Sequence, residues 1–233
     1  MLAQLAESGR NFDLILADPP YGETSLPWDR WPDGWLQVAA GVARSLWCFG
    51  SLRMFLDRRD EFTPWKFSQD VIWEKHNGSG FASDRFKRVH EQVTHWYRGR
   101  WSELRHEVPT TASAVRRTVR HRGQSPHLGK TGTATNYATE DGGPRLMRSV
   151  IYARSMNHRA IHPTEKPTGL LEPLIAYACP PGGLVIDPFA GSGSTLDAAR
   201  CTGRQAIGVE IDERYCEIAA RRLAQADLFS ATT

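Results

Sequence analysis

A short apolar run that ends in Asp18-Pro19-Pro20-Tyr21 constrains the fold of this chain more than any other feature. Residues 12–17 are apolar except for Asp13, and a run of this kind that two prolines stop predicts a buried parallel strand. Apolar patterns predict a helix over residues 33–44 and strands at 70–73 and 92–97, and alternating strand-like and helix-like patterns return over residues 159–229, where Asp212 can cap the start of the last helix. We therefore predict an α/β fold with a mostly parallel sheet and helices on both of its faces.

The loop at residues 18–21 also carries functional groups. In an open α/β sheet, ligands bind just beyond the carboxyl ends of the strands. The Asp18 carboxylate and the Pro19 carbonyl can accept hydrogen bonds from an amino group, while the Tyr21 ring can stack on a planar heterocycle. The alternative is a strand cap made of turn-forming residues, which these four residues alone do not exclude.

A second motif lies at residues 184–195, where a strand, a glycine-rich turn and a helix start follow one another. Gly191 and Gly193 let the backbone approach a ligand closely. No Gly-Lys-Ser/Thr follows, so the turn is not a phosphate-binding P-loop, and the third glycine of a dinucleotide fingerprint is missing. The turn therefore predicts a nucleoside site without a pyrophosphate, with an ordinary tight turn between strand and helix as the alternative.

Three further residues indicate which nucleoside. Glu210 closes the next strand, 19 residues after Gly191, a spacing at which an acid typically accepts hydrogen bonds from ribose hydroxyls. Asp187 at the end of its strand can meet a cationic amino group, and Phe189 can pack on an adenine. A ligand with ribose, adenine and an ammonium group is S-adenosylmethionine, a methyl donor.

With one site for an amine and one for a methyl donor, the chain resembles the β group of DNA amino-methyltransferases, in which a D-P-P-Y segment precedes an F-x-G-x-G segment. The resemblance spans nearly the whole chain. The shared segments are residues 18–21, 72–75, 89–91, 162–167, 170–178 and 187–195. Residues 21–35 and 52–55 are similar to a prophage-type branch of the group.

The resemblance implies a Rossmann-like methyltransferase fold and transfer of a methyl group from S-adenosylmethionine to the N6 amine of an adenine flipped out of double-stranded DNA. It implies catalytic roles for Asp18, Pro19, Pro20 and Tyr21. It implies cofactor contacts for Asp187, Phe189, Gly191, Gly193, Ser194, Thr195 and Glu210, with His162 and Lys166 from the segment that encloses the cofactor in the family. N4-cytosine members commonly have Ser at the position of Asp18, so adenine is favoured and N4-cytosine is the alternative.

The middle of the chain has a different charge from the rest. Residues 100–158 contain ten Lys/Arg and four Asp/Glu, a net charge of +6, which leaves −3 for the remainder. This asymmetry favours a polyanionic partner, with a solvated basic loop as the alternative. We predict three regions: a catalytic half at 1–99, a target-recognition insertion at 100–158 and a cofactor-binding half at 159–233. The candidate DNA-binding residues are Arg116, Arg117, Arg120, Arg122 and Lys130.

Other functions receive less support. A methyltransferase for RNA or a glutamine side chain, a dinucleotide oxidoreductase and a catalytically silent DNA-binding module are the alternatives. His90 and His95 are spaced one residue too far apart for a zinc-protease motif, so we predict no metal site. The family usually has a Gly-Asp pair before the D-P-P-Y segment, and the acid of this pair contacts the adenine of the cofactor. No such pair precedes Asp18 here, so we expect either that the start of the chain is trimmed or that Asn11 or Asp13 takes that role.

The remaining expectations concern location and assembly. No apolar run approaches 18 residues and the N-terminus shows no basic-then-apolar segment, so we expect no membrane span and no signal peptide. The four cysteines lack C-x-x-C spacing, which is typical of reduced cytoplasmic thiols that mostly pack in the core. Many members of the β group dimerise, so the resemblance implies a homodimer.

Overall fold

The structure is a computed structural model that describes residues 2–79, 83–119, 137–154 and 165–230. The chain forms two compact units, one made of Met1–Glu107 with Ser149–Thr233 and one made of Val108–Arg148. The described elements are, in chain order, α1 (Leu2–Glu7), β1 (Leu14–Ala17), α2 (Trp35–Ala39), β2 (Ser45–Gly50), α3 (Leu52–Asp57), β3 (Lys66–Ser79), β4 (Arg88–Tyr97), β5 (Thr110–Thr111), β6 (Arg117–Val119), β7 (Tyr137–Thr139), β8 (Arg145–Leu146), β9 (Val150–Tyr152), α4 (Thr168–Ala178), β10 (Leu184–Asp187), α5 (Ser194–Cys201), β11 (Gln205–Gly208) and α6 (Glu213–Ser230).

The large unit contains a seven-stranded sheet in the order β11-β10-β1-β2-β4-β3-β9. Its pairs are parallel except those of β4, which runs antiparallel to both β2 and β3. From β1 the chain continues outward to β2, and it later returns to place β10 on the other side of β1. The order of the strands therefore reverses between β1 and β10, which is where an open α/β sheet forms its ligand crevice.

Alternate residues of β1 explain why helices cover both faces. Leu14 and Leu16 are buried in a cluster with the apolar side of α4 and with two alanines of α5. Ile15 and Ala17 are buried in a second cluster with α2. Side chains alternate between the two faces of a strand, and because every residue of β1 is buried the run appears as continuously apolar in the sequence. The predicted α/β fold is confirmed.

Several element boundaries differ from the prediction. The helix expected over residues 33–44 is only Trp35–Ala39, and it begins after Gly34, whose φ of 77° lies in the left-handed region. The strands expected at 70–73 and 92–97 are parts of the long antiparallel pair β3 and β4. The last helix begins as predicted, because Asp212 Oδ1 accepts a hydrogen bond from the Arg214 N–H at 3.0 Å.

The small unit consists of two two-stranded antiparallel pairs, β5 with β8 and β6 with β7. Arg116 and Arg117 are exposed, and the Arg116 N–H donates to Asp141 Oδ1 at 2.6 Å. Arg120, Arg122 and Lys130 lie outside the described residues. The unit is shorter than the predicted 100–158 segment, since β9 pairs with β3 in the main sheet. Its role in target recognition stays a prediction.

Two further observations concern the state of the cysteines and the length of the helices. All four cysteines are free thiols; Cys48 and Cys179 are buried in the core, whereas Cys201 and Cys216 are exposed. Among the described helices, none is long and apolar enough to cross a membrane.

Candidate active site

The carboxyl edge of the parallel strands gathers the two predicted half-sites. Asp18 follows β1, Asp187 ends β10 and Glu210 follows β11. Because β10 lies between β1 and β11, these three acids sit at the reversal of strand order and on the neighbouring strand. Two motifs that are far apart in the sequence therefore form one crevice.

Both oxygens of the Asp18 carboxylate have a partner. The Lys166 ammonium lies 2.6 Å from Oδ2, and the Tyr21 hydroxyl donates to Oδ1 at 2.9 Å. Lys166 also lies 3.4 Å from Glu91 Oε2, and Lys75 forms an ion pair with the other oxygen of Glu91. The result is a row of alternating charges, Asp18, Lys166, Glu91 and Lys75, that orients the Asp18 carboxylate.

Burial and charge oppose each other in this row. The Lys166 side chain is only 8% exposed and its ammonium lies 5.1 Å from the centre of the Phe49 ring. Burial alone would lower the pKa of Lys166, but the carboxylates of Asp18 and Glu91 outweigh it and raise that pKa. Burial likewise acts to raise the pKa of Glu91, and the two lysines outweigh it and lower that pKa. Lys166 and Glu91 therefore remain charged although both side chains are largely buried.

Tyr21 contributes a hydroxyl as well as a ring. Burial, followed by the charges of Asp18 and Glu91, raises its pKa well above the ordinary value, so the phenol remains a hydrogen-bond donor to Asp18. The ring packs partly buried against core residues on both sides of the sheet. Stacking of this ring on a target base stays a prediction.

The loop after Tyr21 is pinned by one buried acid. The carboxylate of Asp29 accepts hydrogen bonds from the N–H groups of Gly22 at 2.8 Å, Glu23 at 3.0 Å and Thr24 at 2.7 Å. Burial acts to raise the pKa of Asp29, but a hydrogen bond from the Thr24 side chain and the bonds from these three N–H groups outweigh it, and the pKa is lowered. Asp29 therefore fixes the course of the chain beyond residues 18–21.

The glycine-rich turn adopts the conformation that its sequence predicts. Gly191 and Gly193 have φ values of 50° and 83°, in the left-handed region that favours glycine. A Cβ on Gly193 would lie 2.8 Å from the Cβ of Ala219 in α6. Glu210 closes the turn, because its Oε2 accepts from the Gly191 N–H at 2.8 Å and its Oε1 accepts from two N–H groups of its own loop.

The surroundings of Asp187 shift the pKa of its carboxyl group strongly. It is 3% exposed, and burial raises its pKa to about 7 although Thr195 and the Phe189 N–H, at 2.9 Å, both donate to it. The charges of Asp18 and Glu210 raise the pKa further. A buried carboxyl group of this kind suits a cationic partner, because an ammonium ion would stabilise its ionised form. The crevice therefore fits a nucleoside that carries an amino group.

The other predicted cofactor residues have protein partners. The Ser194 hydroxyl accepts a hydrogen bond from Arg222 in α6 at 3.0 Å. The Phe189 ring meets Trp35 edge to face, with 5.2 Å between centroids. Lys166 lies against Asp18, on the amine side of the crevice. His162 lies outside the described residues, and direct contacts of these side chains with a donor stay predictions.

One expectation is wrong. Neither Asn11 nor Asp13 can replace the missing acid of the Gly-Asp pair, because both precede β1 and lie at its amino end, away from Asp18. The Asp13 carboxylate instead accepts a hydrogen bond from the Leu184 N–H at 2.8 Å, at the start of β10. It joins the two strands at the edge opposite the crevice.

His95 has a packing role. It is completely buried, its ring nitrogens contact the hydroxyls of Ser45 at 2.9 Å and Ser68 at 3.0 Å, and burial lowers its pKa to about 3. Across the residues that the structure describes, no group of three His, Cys, Asp or Glu side chains is arranged to hold a metal ion. Among the tryptophans near the site, Trp31 and Trp35 are buried, whereas Trp28 is 50% exposed.

Sequence reasoning missed the charged residues that support the site. Glu91 and Lys75 lie in segments that the resemblance singled out, residues 89–91 and 72–75, but no role was predicted for either. Asp29 lies in the 21–35 stretch that resembles the prophage-type branch, but no role was predicted for it, and Arg222 lies outside every shared segment. A charged residue inside a family segment is a signal that could have identified Glu91.

The strand order and the two half-sites define a Rossmann-like methyltransferase fold. The chain belongs to the DNA methylase family of N6 and N4 methyltransferases, whose model matches residues 12–221. The predicted family is thereby confirmed at this level.

Individual relatives agree with this assignment. The chain is 46% identical over 70 residues to the DNA adenine methyltransferase YhdJ of Escherichia coli strain K12, a match that covers 30% of this chain and 24% of the relative. It is 26% identical over 249 aligned positions to the type II methyltransferase M.HinfI of Haemophilus influenzae, covering 92% of this chain and 64% of the relative. The chain thus spans less than two thirds of each relative's length.

A solved structure supports the fold. The crystal structure of the M1.HpyAVI–SAM complex superposes with a TM-score of 0.66 and 19% sequence identity, and the match covers 95% of this chain and 94% of that one.

Proposed function

We propose that this protein transfers a methyl group from S-adenosylmethionine to the exocyclic N6 amine of adenine in double-stranded DNA. The observation that carries the proposal is the closeness of two carboxyl groups with different environments. Asp18 is held by Lys166 and Tyr21, while buried Asp187 accepts hydrogen bonds from Thr195 and from the Phe189 N–H and feels the charge of Asp18. An amine held at the first and a donor held at the second meet within one crevice.

On the acceptor side, the N6 amine is a poor nucleophile because its lone pair is delocalised into the ring. Hydrogen bonds from this amine to the Asp18 carboxylate and the Pro19 carbonyl favour a pyramidal nitrogen aimed at the methyl group. Asp18 need not be a strong base beforehand, since the nitrogen becomes acidic only as the methyl arrives. Positioning and electrostatics supply most of the rate in such a reaction.

On the donor side, bound S-adenosylmethionine supplies an electrophilic methyl group on a sulfonium. Asp187 pairs with the amino group of the donor, Glu210 accepts hydrogen bonds from the ribose, and Phe189 packs on the adenine. The positive φ values of Gly191 and Gly193 give the turn the tight course that it needs beside the donor.

The target amine lies inside a duplex, so the adenine has to be flipped out, at a cost of a few kcal/mol. Stacking on the Tyr21 ring recovers roughly 1–3 kcal/mol of this. The exposed arginines Arg116 and Arg117 of the small unit then contact the DNA backbone. Adenine is preferred over cytosine because Asp rather than Ser occupies position 18.

The decisive experiment is methyl transfer followed by nucleoside analysis. The purified chain is incubated with donor labelled in its methyl group and unmethylated genomic DNA, which is then digested and separated. We expect label in N6-methyladenine. Label in N4-methylcytosine would overturn the base assignment, and absence of label in an enzyme that measurably binds the donor would overturn the proposed reaction.

A further inference from the structure

Arg222 connects three segments that the proposed reaction needs in register. From α6 its guanidinium donates to the Ser192 carbonyl at 3.0 Å and to the Ser194 hydroxyl at 3.0 Å, both in or next to the glycine-rich turn. It also forms an ion pair with Glu165. The next residue after Glu165 is Lys166, which contacts Asp18.

The burial of this ion pair distinguishes it from ordinary surface contacts. The Glu165 side chain is 1% exposed and that of Arg222 is 18% exposed. The neighbouring pair on the same helix, Arg221 with Glu217, has side chains that are 75% and 61% exposed. Exposed pairs are generally worth little, whereas removal of one partner from a buried pair leaves a charge without compensation.

The guanidinium is suited to this position by its shape. Arginine presents several N–H donors in a rigid planar fork, so one side chain can hold a carboxylate with one nitrogen and a loop with the other. Here one terminal nitrogen contacts the turn and the other contacts Glu165. Glu165 is therefore linked through Arg222 to the glycine-rich turn, whereas its neighbour Lys166 contacts the Asp18 carboxylate.

We propose that Arg222 is a positioning residue that holds the methyl-donor turn in register with Asp18 through Glu165 and Lys166. This inference rests on the proposed function and goes beyond it, since Arg222 contacts neither reactant. Small displacements matter in a transfer reaction, because a shift of about 1 Å from a remote mutation can cost about a hundredfold in rate.

The test compares Arg222→Gln with Arg221→Gln, a matched change one residue away on the exposed side of the helix. Calorimetry gives the Kd for S-adenosylmethionine, and steady-state kinetics give separate KM values for donor and DNA. For Arg222→Gln we expect kcat/KM for the donor to fall roughly tenfold to a hundredfold, with a higher donor Kd and little change in KM for DNA. Arg221→Gln should match the wild type.

Two further variants separate positioning from folding. Arg222→Lys keeps the charge but not the fork, so it should recover only part of the loss. Glu165→Gln combined with Arg222→Gln should cost less than the sum of the single changes, because both belong to one network. Values of donor Kd and of kcat for Arg222→Gln that both lie within twofold of those of Arg221→Gln would overturn the inference. Failure of the wild type to transfer methyl groups would instead overturn the proposed function, while the donor Kd comparison would still decide the role of Arg222.

Discussion

The Nζ atom of Lys166 lies 2.6 Å from Oδ2 of Asp18, although 148 residues separate the two in the chain. Lys166 belongs to a segment that the resemblance assigned to the cofactor. Its ammonium nevertheless contacts the carboxylate that we propose accepts a hydrogen bond from the target amine. This ion pair joins the loop at residues 18–21 to the segment that precedes α4. Both the chemistry and the stability of the site should depend on it.

Replacement of Asp18 should separate binding from transfer. Asp18→Ala removes the acceptor for the target amine, and we expect transfer to fall by at least about 10²–10³-fold. The Kd for S-adenosylmethionine should remain within a few-fold of the wild type, because Asp18 contacts the target and not the donor. Calorimetry on the same preparation provides the control, and a collapse of donor binding would contradict the role given to Asp18.

Donor binding should depend on pH through Asp187. Its pKa of about 7 means that the carboxyl group of the free protein gains a proton as the pH falls below 7, and a neutral carboxyl cannot pair with the donor's ammonium. The affinity for S-adenosylmethionine should therefore weaken below about pH 7, with a slope that approaches about tenfold per pH unit. Asp187→Asn should bind weakly and without this pH dependence; an unchanged slope in that variant would assign the titration to another group.

Glu91 should stabilise the protein more than a surface acid does. Glu91→Gln removes the carboxylate between Lys75 and Lys166, and we expect the free energy of unfolding to drop by up to about 3 kcal/mol. The matched change Glu103→Gln, at an acid whose side chain is 34% exposed, should cost clearly less. Urea unfolding of both variants measures the difference. Equal losses of unfolding free energy in the two variants would contradict a larger contribution from the buried Glu91.

The pH dependence of this contribution has a definite sign. The pKa of Glu91 is lowered in the folded protein. The stability that Glu91 contributes is therefore fully present above the pKa of a glutamate in the unfolded chain, about 4.3. It is lost as the pH falls through the folded value. Glu91→Gln should therefore lose less stability between neutral and acidic pH than the wild type does.

The glycine at 193 should tolerate no side chain. Gly193→Ala combines a φ of 83° with a Cβ placed 2.8 Å from that of Ala219, whereas Gly203→Ala, at a φ of 71°, meets nothing within 4 Å. The strain of a positive φ, about 1–2 kcal/mol, applies to both variants. The contact with α6 should cost Gly193→Ala roughly 1–3 kcal/mol more in urea unfolding. Equal losses in the two variants would mean that α6 moves freely away from the turn.

The arginines of the small unit should contribute to DNA affinity through phosphate contacts. The double change Arg116→Gln with Arg117→Gln should weaken DNA binding at low salt and reduce the slope of log affinity against log salt by up to about 2. Fluorescence anisotropy over a range of salt concentrations measures the slope. Arg221→Gln serves as the control for a lost surface charge, and a slope that stays constant in the double variant would exclude phosphate contacts by these two residues.

Local patterns were sufficient to predict the main elements of the large unit. The apolar run before Asp18 predicted β1 because a strand buried on both faces needs apolar residues at every position. The positive φ values at Gly191 and Gly193 followed from the glycines themselves, and Asp212 capped α6 as its residue type predicts. Boundaries such as the early end of α2 were missed because they depend on how neighbouring elements pack.

The sequence by itself determined the two motifs and the strands that carry them, because strand ends and tight turns depend on neighbouring residues. Only the tertiary structure decided which charges meet: Lys166 with Asp18, Glu91 between two lysines, and Arg222 with Glu165. Parallel strands bring distant loops to one edge of a sheet, and the partners chosen there depend on register and side-chain reach in three dimensions. The raised pKa of Asp187 has the same origin, since burial depends on what packs around a group and not on its neighbours in the chain.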